Sequence, residues 1–177
     1  MTDTATIDDH AIALAPDTIR IERLLPGPIE RVWSHLTQSE LRRRWLAAGD
    51  MDLHPGASFT LTWRNDELTD PPGARPEGMS DEHSATCTIL AIKAPTLLRY
   101  EWPDVGEVTF ELQSSGSDVM LTLTHARAPS AHVVLGVSAG WHGHLDLLDA
   151  VLRDQQPEPF WDRWRTLRAT YQGRLSE

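Results

Sequence analysis

Residues 97–125, LLRYEWPDVGEVTFELQSSGSDVMLTLTH, decide the fold. Leu98, Tyr100 and Trp102 alternate with Arg99 and Glu101; Val108, Phe110 and Leu112 alternate with Thr109 and Glu111; Val119, Leu121, Leu123 and His125 alternate with Met120, Thr122 and Thr124. A period of two places one set of side chains on a buried face of a strand and the other toward water. Pro103-Asp104 and Ser114-Ser115-Gly116-Ser117 leave only short connections. Such connections join antiparallel neighbours, since a parallel return needs a dozen residues or more.

Upstream, Ala85 to Ile92 adds a strand that ends at the turn Ala94-Pro95-Thr96. Ser58 to Arg64 adds another, with Phe59, Leu61 and Trp63 on one face, and Ile19, Ile21 and Leu25 mark a first strand that stops at Pro26-Gly27. Between these, Ile29, Val32, Trp33 and Leu36 have helical spacing behind Pro28, and Leu41 through Trp45-Leu46 begin a second short helix. Downstream of Pro129-Ser130, Val134, Val137, Trp141, Leu145, Leu148 and Leu152 recur in steps of three and four, which predicts a long helix to about Gln155. Gly136, Gly140, Gly143 and Ala150 fall on its back, where a close neighbour could pack. Pro157 and Pro159 end it, and Phe160, Trp164, Leu167 and Tyr171 form a final amphipathic helix over residues 156–177 that should dock on the body. The order is α+β: a curved antiparallel sheet must bury one face, and the long helix is its only large apolar partner. A straight helix cannot follow a curved sheet, and the gap between them is a natural ligand cavity.

Several pieces resemble a known family. Pro28-Ile29-Glu30-Arg31-Val32-Trp33 through Leu36-Thr37, with Leu41 to Trp45, is similar to the opening of the SRPBCC superfamily. Pro95, Leu98 and Tyr100-Glu101-Trp102, then Leu121-Thr122-Leu123-Thr124-His125, then Gly140-Trp141 with Leu145 and Leu148, resemble its branch of activators of a heat-shock chaperone ATPase. The pieces span residues 18–155 in order, which is more specific than any one motif. The resemblance implies a START-like, birch-pollen-allergen-like helix-grip fold and a family that includes hydrophobic-ligand carriers, cyclases and co-chaperones. Fold therefore leaves function open.

Composition narrows it. The 177 residues suit one domain. The net charge of −10 disfavours nucleic acid and anionic membranes as partners. Nine of those ten charges belong to residues 1–17, with Asp3, Asp8, Asp9 and Asp17, and to the Pro/Gly-rich loop 65–82, with six acids against Arg75. Both stretches are expected to be solvated and mobile. A lone cysteine, Cys87, and an N-terminus without an apolar run point to a cytoplasmic protein without disulfides, and no stretch has the length of a membrane span. No ligand set for a metal is present, so neither metal nor organic cofactor is expected: His142 and His144 point about 200° apart on a helix. His142 and Asp146 share a face and are expected to form a surface pair. Gly136-Val137-Ser138-Ala139-Gly140 has the form of a hydrolase elbow but sits in a helical pattern without the parallel sheet that motif requires. Arg42-Arg43-Arg44 is expected to be a solvated helix face, or alternatively to meet an anionic ligand head or an acidic partner.

The candidate ligand-binding residues are Trp63, Tyr100, Trp102, Leu121, Leu123, His125, Trp141 and Leu145, all on predicted inward faces. His125 is either a core histidine bonded to a carbonyl or an indole, or a cavity acid/base and the one catalytic candidate. Seven tryptophans outnumber Phe and Tyr together, which favours flat, aromatic or lipid-like ligands; Trp161 and Trp164 should staple the last helix to the body or to a second subunit. The reading is a protein, monomer or homodimer, that binds a small hydrophobic or aromatic molecule. The alternatives are a chaperone-associated or stress-response interaction module, and a cyclase- or hydratase-like enzyme using His125.

Overall fold

A computed structural model describes residues 8–175. Its seven-stranded antiparallel sheet has the order β1-β2-β7-β6-β5-β4-β3. The strands are β1 (Ile12–Ala15), β2 (Thr18–Pro26), β3 (Ser58–Trp63), β4 (His83–Lys93), β5 (Leu97–Trp102), β6 (Gly106–Ser115) and β7 (Asp118–Ala126). Helices α1 (Ile29–Thr37) and α2 (Ser39–Arg42) follow β2, while α3 (Ala131–Leu152) and α4 (Phe160–Arg174) end the chain.

Period-two patterning sets the register. Leu98 pairs with Phe110, Tyr100 with Val108, Phe110 with Leu123 and Val108 with His125, so one face of the central strands is apolar and buried. β2 pairs with β7 and puts Ile19, Ile21, Arg23 and Leu25 on that face. A register shift between Ile89 and Ala91 interrupts the β4–β5 ladder, the kind of irregularity that bends a strand. Ser130 caps α3, its hydroxyl accepting from the Val133 N–H at 3.2 Å. The structure has the curved sheet, the two short helices and the long C-terminal helix of a helix-grip fold.

The two acidic segments differ from expectation. Residues 1–7 lie outside the described residues, but Ile12–Ala15 forms an edge strand on β2, with Ile12 opposite Arg20. The buried Ala11 N–H donates to Tyr171 Oη at 2.6 Å, and the Arg23 guanidinium binds the Asp9 carbonyl at 3.0 Å. In loop 65–82, Thr69 Oγ1 accepts from the Phe160 N–H at 2.9 Å, the Pro72 carbonyl from the Trp161 N–H at 3.0 Å, and Asp66 from the Trp161 indole N–H at 2.7 Å. This part of the loop is a latch on the start of α4. Its polar groups read as solvated because their partners lie some ninety residues away in sequence.

Two charged clusters also turn inward. Arg42 is buried, its guanidinium donating to the carbonyls of Ala47, Leu36, Thr37 and Gly49, whereas Arg43 and Arg44 are exposed. Backbone acceptors replace the solvent it was expected to face. Likewise, His142 and Asp146 are not a surface pair. Asp146 accepts from Arg23 at 2.8 Å and from Arg163 at 3.0 Å, while His142 Nδ1 is hydrogen-bonded to Tyr171 Oη at 2.7 Å. The cluster ties β2, α3, α4 and the N-terminal segment together.

Candidate functional site

Gly136 and Gly140, predicted on the back of α3, border open space, and a Cβ on either would meet nothing within 4 Å. Gly143, one turn further on, supplies the close approach instead: a Cβ there would lie 3.4 Å from Phe160 and 3.7 Å from Leu167 of α4. The open space is a cleft of about 520 Å³ between the N-terminal half of α3, the start of α4, the ends of β3 and β5, and the segment around residues 78–83. Exposed Gly78, Met79, Ser80, Asp81 and His132 form its rim.

Five indoles make its walls: Trp63, Trp102, Trp141, Trp161 and Trp164. Trp63 and Trp102 stack at 5.1 Å, Trp102 meets Trp141 edge-on at 6.4 Å, and Trp161 meets Trp164 edge-on at 5.8 Å. Alternation brings the first three together, because Trp63 and Trp102 end their strands at the level where Trp141 leaves the helix. Trp161 and Trp164 arrive with α4. They are cleft walls as well as staples, which the amphipathic pattern of α4 alone does not reveal.

The other candidates lie in the core. Leu121, Leu123 and Leu145 are fully buried and do not border the cleft. Tyr100 is enclosed by Phe59, at 5.2 Å, and Phe110, at 6.4 Å. His125 is 0% exposed. The Trp141 indole N–H donates to its Nδ1 at 3.0 Å, which leaves the proton on Nε2, and Nε2 donates to the Val105 carbonyl at 3.0 Å. Burial lowers its pKa and keeps it neutral. With both nitrogens engaged, His125 orients the Trp141 wall and has no free nitrogen for proton transfer to a ligand. Alternation places His125 on the inward face of its strand, but a strand pattern does not say which part of that face the helix covers.

Two polar groups at the cleft escaped the sequence reading. His144 packs on Phe160 at 4.9 Å and donates Nδ1–H to the Trp45 carbonyl at 2.8 Å. Burial pushes its pKa down to about 4. Asn65, at the start of a single 3-10 turn (Asn65–Glu67), borders the cleft and has a buried Oδ1 without a partner. Ser138, of the elbow-like motif, is buried in α3 and donates to the Val134 carbonyl at 2.7 Å, as a helix-interior serine does. Among the described residues no cluster of three metal-ligating side chains occurs, and no helix is long and apolar enough to cross a membrane.

Sheet, grip helix and cleft define the class as an SRPBCC-type helix-grip protein. Residues 26–153 match the family described as Activator of Hsp90 ATPase homolog 1-like protein, and the chain belongs to that family. It is similar to a protein of Bordetella parapertussis solved by solution NMR, at 38% identity over 97% of this chain and 94% of that one, with a TM-score of 0.78. It also shares its fold with CalU16 from Micromonospora echinospora, at 23% identity over 88% of this chain and 86% of that one, TM-score 0.65. DynU16, a protein of the dynemicin biosynthetic locus, shares the fold at 18% identity over 80% of this chain and 49% of that one, TM-score 0.60. No curated protein matches the sequence significantly.

Proposed function

We propose that the protein binds a small, flat, apolar or aromatic molecule in the indole-walled cleft. The carrying observation is that α3 has glycine at 136 and 140, where the cleft is, although glycine disfavours a helix interior and nothing in the fold crowds those positions. The cleft volume suits a molecule of two to four fused or linked rings, at the lower end of the range typical of small-molecule sites. The buried thiol of Cys87, pushed up to about 12, is inert and fits the reducing cytoplasm this reading assumes.

The test uses protein stripped of co-purified apolar molecules and a panel of polycyclic aromatics and fatty acids. Aromatic ligands should quench the wall tryptophans and raise the melting temperature by mass action. If no member of the panel changes either, the binding assignment falls. The family match would then favour the second reading, a chaperone-associated module acting through its surface.

A further inference from the structure

Asn65 Oδ1, in the turn after β3, lacks a partner but is closed off from the open space. The unpartnered acceptor that opens on the cleft is His144 Nε2. Its ring is 6% exposed, Nδ1 carries the proton because it faces the Trp45 carbonyl, and Nε2 is left as a lone pair with no protein partner among the described residues. Burial holds the ring neutral at ordinary pH, so this nitrogen accepts and does not donate. Two of the wall indoles are committed elsewhere, the Trp141 N–H to His125 and the Trp161 N–H to Asp66. Among the described residues no Lys or Arg borders the cleft, and Asp81 sits on its rim, so the surroundings are unfavourable to an anion.

An apolar molecule of the right shape would cover His144 Nε2 and leave it desolvated and unpaired. A molecule carrying an O–H or N–H on its ring edge would satisfy it, and the difference between the two appears as selectivity. We infer that the cleft selects neutral aromatic molecules bearing a hydroxyl or N–H donor, of the phenol, naphthol or indole class, over hydrocarbons of the same shape, with His144 as the residue that reads the donor. This rests on the cleft being a binding site.

The experiment compares three probes on stripped protein by calorimetry: 2-naphthol, naphthalene and 2-methoxynaphthalene. The first should bind about tenfold more tightly than the third, which has the ring and the oxygen but no donor. In His144→Phe the ratio of the two affinities should fall toward unity, while Asn65→Val, whose carbonyl is closed off from the open space, should keep the parent's ratio. Reading the ratio divides out any general weakening of the cleft. If His144→Phe does not fold, the wild-type ratio decides together with the ¹⁵N shift of His144 Nε2, which should move on adding naphthol and not on adding naphthalene. Equal affinity for all three probes would overturn donor selection and leave the binding site standing. No binding of any probe would overturn both. An unchanged ratio in His144→Phe, with an unmoved Nε2 resonance, would refute the assignment to His144.

Discussion

Alanine at Gly136 and Gly140 should make the protein more stable. Glycine in a helix interior costs about 0.8–1 kcal/mol relative to alanine, because the unfolded chain gives up more freedom and no side chain is buried in return. That gain is normally cancelled where the new methyl meets its neighbours, but a Cβ at 136 or 140 finds nothing within 4 Å. Each substitution should therefore stabilise by about 1 kcal/mol, the pair by about 2 if they add, which for a chain of this size raises the melting temperature by roughly 4–8 °C. Gly143→Ala is the control. Its methyl would make ordinary van der Waals contact with Leu167 and with the Phe160 wall but would not enter the open space, so it should stabilise α3 without filling the cleft. Leucine at 140 should fill the cleft, retain the fold and abolish binding of an aromatic probe. Calorimetric melting and probe titration of the four variants make the assay. A loss of 1 kcal/mol or more in either cleft alanine would mean that this face of α3 is packed, and a Gly140→Leu protein that binds the probe like its parent would place the ligand elsewhere.

Acid should destabilise the fold before its carboxylates titrate. Burial pushes His142 down to about 3 and His144 to about 4 from 6.5, so both are neutral when folded and bind protons when unfolded; their contribution is complete above about pH 6.5 and is lost as pH falls toward those values. Two such groups amount to about 4 kcal/mol between pH 8 and pH 5, to be measured by urea unfolding at both; equal stability at the two would contradict the buried tautomers. His125→Ala should cost about 3 kcal/mol or more by orphaning the Trp141 indole N–H and the Val105 carbonyl, whatever ligand is present. A variant as stable as the parent but unable to bind the probe would restore the functional reading of His125.

Most of the fold is written in local periodicity. The alternation of Leu98, Tyr100 and Trp102 or of Val119 through His125 needs no tertiary information, nor does the stripe from Val134 to Leu152. What escaped is set by contacts between distant segments. Nothing local marks Ile12–Ala15 as a strand: its side chains are exposed, and it is fixed by the β2 ladder and by Tyr171 acting on Ala11. The acids of loop 65–82 gave a correct charge sum and a wrong surrounding for Asp66, which accepts from both the Trp161 indole and Arg75. At the site the same division recurs. Trp63, Trp102 and Trp141 could be placed from period and face, whereas His144 and Asn65 acquire their meaning from α4 and the latch, which patterning of either segment alone does not bring together.

The cleft is therefore not simply the gap between a sheet and its grip helix. Over its C-terminal half α3 is buried on nearly every side, with His142, Leu145, Leu147 and Leu148 enclosed. The indole-walled cleft lies toward the N-terminal half, where glycines stand in place of side chains. Even there, sheet and α3 supply two walls; the others are Phe160, Trp161 and Trp164, carried by a helix that the Thr69, Pro72 and Asp66 contacts hold in place. The position of α4 is further fixed by Arg163 on Asp146 and Tyr171 on His142, the cluster that also anchors the N-terminal segment through Arg23. Those polar contacts join four separated stretches of chain and are individually modest; the burial of Phe160, Trp161, Leu167 and Tyr171 carries the docking of α4 on α3 with them. A ligand pressed between Trp141 on α3 and Trp161 on α4 touches both sides of that interface, and its binding energy then acts on the docking of α4 as well as on the cleft.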